Sequence, residues 1–190
     1  VARVLAAALR RAGGLRAFHS EPRTSRFMNR RKLQNTLDAA LASHRAGQIE
    51  EAARLYAQVC HAAPRLFDGW YLAGALAFQR GGHLEEAIDY LTRALRLQPA
   101  SVDCKLFLGM ALADAGRYEE AEKPLRAALA KHKGFPEAWE NLANVLCALG
   151  RPAAEAIECL RRSLALEPGR IELQQRIDEL LMAETMSASV

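Results

Sequence analysis

One short phrase returns four times at an almost fixed interval: GQIEEA (47–52), GHLEEA (82–87), GRYEEA (116–121) and GRPAAEA (150–156). Its glycines are 35, 34 and 34 residues apart, and its closing alanines 35, 34 and 35. A period of this length requires small supersecondary units stacked in a row, because none can bury its apolar face alone. Arrays of that kind bind extended surfaces and rarely carry chemistry.

Each phrase lies between two segments of helical periodicity. In the third unit Leu106, Phe107, Met110, Ala111 and Leu112 recur at three- and four-residue steps. Gly116 then ends that helix, and Tyr118 opens a second with Ala121, Leu125, Ala128 and Leu129 on its apolar side. The second and fourth units share this plan, and the first follows it with a weaker opening helix. Glu50–Glu51, Glu85–Glu86 and Glu119–Glu120 fall in first turns, where the helix dipole favours acids. Glu50 with Arg54, Asp89 with Arg93, Glu119 with Lys123 and Glu158 with Arg162 are spaced to pair on solvated faces. Pro64, Pro99 and Pro168 stop three of the second helices; the third unit has Lys133 there, soon followed by Pro136. Pro124 falls inside a second helix, where a lost hydrogen bond predicts a kink or a tightened turn.

Composition agrees with packed helices. Half the residues are hydrophobic but only 6% are aromatic, so alanine and leucine dominate. No apolar run approaches the roughly 20 residues needed to cross a membrane. Residues 1–32 carry nine Lys/Arg and one acid, a net +8, whereas the rest of the chain nets −4. The high isoelectric point therefore belongs to an N-terminal arm and not to a basic face of the body. Cys60, Cys104, Cys147 and Cys159 form no CxxC pair and no zinc-like spacing with histidine, and read as free packing thiols suited to a reducing compartment.

In phase, these residues resemble the tetratricopeptide repeat family, with its W-x2-L-G-x2-Y, A-x3-F and P positions over about 34 residues. The second unit supplies Trp70, Gly74, Ala87, Leu91, Ala94 and Pro99. The third supplies Leu108, Gly109, Leu112, Ala121, Leu125 and Ala128. The fourth supplies Trp139, Leu142, Ala143, Leu146, Ala156, Leu160 and Pro168, and the divergent first Ala40, Ala52, Tyr56 and Pro64. The second and fourth hold an extra residue near 81–82 and 152–153, in the turn between helices. The resemblance implies an all-α fold, a right-handed superhelical solenoid of about four tetratricopeptide helix pairs with a C-terminal capping helix. Its repeats fall at about 33–66, 67–101, 102–135 and 136–170, the capping helix at 171–184 and a tail at 185–190.

Family members line a concave groove with their first helices. Carried onto this chain, that implies a binding face of Leu37, Leu41, His44, Arg45, Asp68, Tyr71, Phe78, Asp103, Leu106, Met110, Asp114, Glu137, Glu140 and Asn144. Some members clamp a terminal carboxylate with basic groups. Leu37, Tyr71, Leu106 and Glu140 occupy the matching positions here, which argues against such a clamp. An apolar floor with acidic groups points instead to an apolar or basic helix or extended segment as partner.

The arm places Val1, Val4, Leu5, Ala8 and Leu9 on one helical side and arginines on another. It is similar to a mitochondrial presequence, with cytoplasmic residence as the alternative. Two further readings stand beside targeting: a retained amphipathic helix docking on the chain's own body or a neighbour's, and a solvated tail. Nucleic-acid binding is not expected, since only Phe18 and Phe27 offer stacking surfaces in the arm. No nucleotide loop, metal motif, cofactor site or nucleophile elbow is present in the sequence, so a non-enzymatic scaffold or adaptor is expected. The alternatives are a regulatory segment of a larger enzyme and a self-assembling structural protein.

Overall fold

The structure, a computed structural model, describes residues 30–187, and these are all-α. The helices are α1 (Arg30–Arg45), α2 (Ile49–Ala62), α3 (Phe67–Arg80), α4 (Leu84–Leu97), α5 (Val102–Asp114), α6 (Tyr118–Lys131), α7 (Pro136–Ala148), α8 (Ala153–Leu166) and α9 (Ile171–Ser187). Most of the basic arm, with its presequence-like stretch, lies outside the described residues. Arg30, Arg31 and Lys32, grouped with the arm by charge, form the first turn of α1. At the other end α9 runs three residues beyond the expected 184.

Two compact units divide the chain, with the boundary inside α5 between Phe107 and Leu108. In the first unit α1 packs with α2 and α3 with α4, while α2 and α3 join one pair to the next. In the second, α7 packs with α8, and α6 and α9 lie against α7 and α8 respectively.

The repeated glycine phrase is a helix-ending device. Gly116 takes φ +73°, a left-handed geometry costly for any side chain. That turn lets the Gly116 amide bond to the Ala113 carbonyl (3.0 Å) and the Arg117 amide to the Leu112 carbonyl (2.8 Å). These are the two bonds of a Schellman stop. The same pair closes α1 through Gly47 and Gln48, and α7 through Gly150 and Arg151. Only the second repeat, at about 67–101, departs from it. There the extra residue gives two left-handed glycines, Gly81 and Gly82, and the Gly81 amide bonds to Phe78.

A different pair of glycines sets helix spacing. A Cβ on Gly74 of α3 would lie 2.7 Å from Leu91 Cγ and 3.2 Å from its amide nitrogen. On Gly109 of α5 it would lie 2.6 Å from Leu125 Cγ and 3.1 Å from that amide. Leu91 and Leu125 are wholly buried, so neither can swing into solvent to make room.

The exposed ion pairs only partly follow the expected spacing. Arg93 meets Asp89 at 3.0 Å and Arg162 meets Glu158 at 2.7 Å. Arg54, expected on Glu50, turns to Glu51, while Glu50 accepts from Arg80 at 2.9 Å and so joins α2 to α3. In the second compact unit Glu122 of α6 is shared by Arg126 on the same helix and by Arg151 of the turn between α7 and α8. Helix α6 continues without a break through Pro124. All four cysteines are free thiols; burial pushes Cys60 and Cys104 up to about 12, which leaves them unreactive packing groups.

Gly74→Ala and Gly109→Ala are each expected to destabilise the fold by about 1–3 kcal/mol, since overpacking outweighs the better helix propensity of alanine. Gly134→Ala, with open space around it, should leave stability within about 0.5 kcal/mol of the parent. Urea denaturation of the three variants checks the contrast.

Candidate functional site

The candidate binding residues separate by burial. Leu37, Leu106 and Met110 have no exposed surface, and Leu41, Tyr71 and Phe78 are buried to within a few percent. Their role in the fold is packing. Arg45 and Asp114 are exposed, while Asp68, Asp103, Glu137, Glu140 and Asn144 lie partly buried at the edge of the core.

His44 is also interior. Its Nδ1 lies 3.2 Å from the Tyr56 hydroxyl and its Nε2 2.8 Å from Gln79 Oε1, so one imidazole links α1, α2 and α3. Carbonyl Oε1 only accepts, which puts the proton on Nε2 and leaves Nδ1 to accept from the tyrosine. Burial, partly offset by Gln79, lowers the His44 pKa below its ordinary value. The expected surface role for His44 is therefore corrected to an internal pin. Gln79, its partner 35 residues away, carries no period signal in the sequence.

In the first unit the accessible chemistry gathers at the start of α3. Phe67 and Tyr71, one helical turn apart, stack with centroids 5.4 Å apart and an interplanar angle of 10°. Tyr71 also meets Phe107 edge-on. Asp68 shares this turn, and burial raises its carboxyl to about 6 even though a helix N-terminus favours an anion. No cation among the described residues offsets that burial; desolvation alone shapes its titration.

In the second unit the matching positions lie on α7. Glu140 accepts from Ser163 Oγ (2.9 Å) and from both terminal nitrogens of Arg170 (3.0 and 3.2 Å). It thus ties α7 to α8 and to the residue just before α9. The side-chain oxygen of Asn144, one turn on, is buried without a hydrogen-bond partner among the described residues. The family resemblance named Glu140 and Asn144 but not Arg170, the last residue of the fourth repeat, which matches no position of the family pattern. No group of three His, Cys, Asp or Glu among the described residues is arranged to hold a metal ion. No described helix is long and apolar enough to cross a membrane.

Tetratricopeptide repeat models match residues 37–102, 72–134 and 106–171, three overlapping pairs of units in register with the helices above. The chain belongs to the tetratricopeptide repeat family. Human tetratricopeptide repeat protein 7B is 34% identical over 121 residues, covering 64% of this chain and 14% of that protein. Human tetratricopeptide repeat protein 7A is 35% identical over 119 residues, covering 63% of this chain and 13% of its own length. This tetratricopeptide chain thus spans only a small part of those relatives. Among solved structures, MamA superposes with a TM-score of 0.72 over 83% of this chain and 85% of its own, at 22% identity. A thermophilic tetratricopeptide repeat protein from Thermus thermophilus gives 0.57 at 23% identity, over 81% of this chain and 84% of its own. These likenesses establish the fold.

Asp68 and His44 titrate with opposite effects on this tetratricopeptide fold. A carboxyl raised in the folded state costs stability as pH climbs from 3.8 through about 6. Asp68→Asn should therefore gain on the order of 1–2 kcal/mol over the parent at pH 7, shrinking toward zero near pH 4. A histidine lowered in the folded state contributes stability above about 6.5 and loses it as pH falls. The parent should weaken relative to His44→Gln between pH 7 and 5. Denaturant titrations across pH read both differences.

Proposed function

We propose that this chain is a non-enzymatic protein-binding module, and that the start of α3 takes a basic side chain from an apolar helix or extended segment. Membership of a family of interaction scaffolds supports the general reading. The finer reading is carried by Asp68, a carboxylate set into the protein edge with no cation beside it among the described residues. Its neighbours are the stacked Phe67 and Tyr71. Leaving that anion desolvated costs free energy in the unbound chain. A lysine or arginine brought by a partner would offset the cost at the moment of binding.

The second-unit face is chemically different. Glu140 is committed to Ser163 and Arg170, whereas the Asn144 side-chain oxygen is buried without a hydrogen-bond partner among the described residues. A partner's backbone or side-chain N–H would satisfy it. The reading thus assigns charge recognition to α3 and a neutral hydrogen bond to α7. It does not call for a terminal-carboxylate clamp.

The test is fluorescence anisotropy with a labelled, leucine-rich helical peptide bearing one central arginine, alongside the same peptide with glutamine there. Asp68→Asn should weaken binding of the arginine peptide by about tenfold, equivalent to about 1.4 kcal/mol, and leave the glutamine peptide unchanged. Acidification from pH 7 to 5 should weaken the arginine peptide for the parent alone. Equal loss for both peptides, or none for either, would sink the assignment.

A further inference from the structure

The corners that follow the second helices are alike in backbone and differ in one run of side chains. Helices α2, α4, α6 and α8 end at Ala62, Leu97, Lys131 and Leu166, and the next amide bonds to the carbonyl four residues back. Those next residues, Ala63, Gln98, His132 and Glu167, share φ between −136° and −130° and ψ between 72° and 97°. Proline follows in three corners, whereas α6 is followed by Lys133.

The third corner thus keeps its shape without the proline that presets it. Trp139 donates its indole N–H to the Lys133 carbonyl at 2.9 Å, as Trp70 does to the Pro64 carbonyl. The main chain alone accepts these bonds, so the fold does not call for basic side chains at 131, 132 and 133. Lysine at a helix C-terminus is favoured by the dipole. Alanine or leucine ends the other three second helices, however, so the helix does not require it.

All three basic side chains are exposed, and neither lysine makes an ion pair with a described residue. His132 lies against Phe135, with ring centroids 5.6 Å apart, and Gly134 between them has open space around it. The Arg162 guanidinium lies 4.8 Å from the centroid of the Trp139 ring, which brings a further cation to the corner, paired with Glu158. Residues 108–190 carry ten Lys/Arg against thirteen Asp/Glu, so this is a local positive patch on an acidic unit. The matching corner of the first repeat, Ala62-Ala63-Pro64 beside Trp70 and Arg93, has the same latch and lacks the patch.

We infer that the corner between α6 and α7 is a docking site for an acidic polypeptide segment, with Lys131 and Lys133 meeting its carboxylates. Three residues of chain span at most about 10 Å, which matches a short run of neighbouring acids. A nucleic-acid strand would carry its charge onward over a unit of net negative charge, which opposes it. Charge complementarity of this kind selects the partner and speeds its encounter. The corner shares no residue with the α3 site, and the inference stands without that site's ligand.

Photo-crosslinking of the full 190-residue chain tests it. The probe is a short peptide of alternating glutamate and alanine bearing a central photo-reactive group, alongside its glutamine counterpart. Mass-spectrometric mapping reads capture locally, so positive charge elsewhere on the chain does not enter the score. The glutamate peptide should label the 131–135 segment, and the glutamine peptide should label it roughly fivefold less or weaker still. Lys131→Ala, His132→Ala and Lys133→Pro together transplant the first repeat's own corner. Urea denaturation should show the fold kept, with labelling lowered by a similar factor. Lys131→Gln with Lys133→Gln, which leaves backbone preferences alone, should lower it as well, and Lys131→Arg with Lys133→Arg should retain it. Asp68→Asn should leave labelling unchanged. Absence of labelling at the corner, equal labelling by the two peptides, or full labelling of the glutamine variant would each overturn the inference. So would equal competition by a single-stranded oligonucleotide of matched charge.

Discussion

Everything in each repeat depends on how closely its two helices approach. At Gly74 and Gly109 the facing leucine leaves no room for even a methyl group. The leucine then fills what would otherwise be a void, and the two helix backbones are held at a fixed separation. Alanine stands at the equivalent Ala143 and Ala40, both buried, so the constraint on size relaxes slightly in the outer units. Because interiors are close-packed, this contact fixes which residues of the first helix turn outward.

A second device recurs only in alternate repeats. Trp70 donates its indole N–H to the Pro64 carbonyl at 2.9 Å, and Trp139 does so to Lys133 at the same distance. Arg93 and Arg162 lie over the two rings at 4.8 Å, each steadied by its own acid one turn earlier. Every member of the fourth-unit set stands 69 residues beyond its counterpart. In the third unit Lys105 and Ala127 occupy the same positions, and neither can build the stack. The packing period is therefore one repeat, whereas the tryptophan latch has a period of two. The latch bridges the loop before the first helix to the second helix, and cation–π attraction adds about 0.5–1 kcal/mol at such exposed sites.

Helix existence and the turn glycines were legible because each reflects a local rule repeated in phase. The binding face was less legible. Leu37, Leu106 and Met110 occupy positions that the family pattern assigns to a groove, yet they are wholly buried. Periodicity reports which side of a helix a residue takes; it does not report how much neighbouring helices cover. His44 and Glu140 show the same limit for polar residues. Their partners, Gln79 and Arg170, lie 35 and 30 residues away and are joined to them only by the packing of separate elements.

Helix α9 is a first helix that has lost the features needed to receive a second. In register with α7, Gln174 stands where Trp139 makes its latch, and Asp178 where Ala143 permits close approach. An exposed hydrogen bond joins the two new polar residues. A second helix packed there in the manner of the other repeats would bury an uncompensated carboxylate, at a cost of several kcal/mol. Arg170 commits to Glu140, which anchors the start of α9 to the preceding pair.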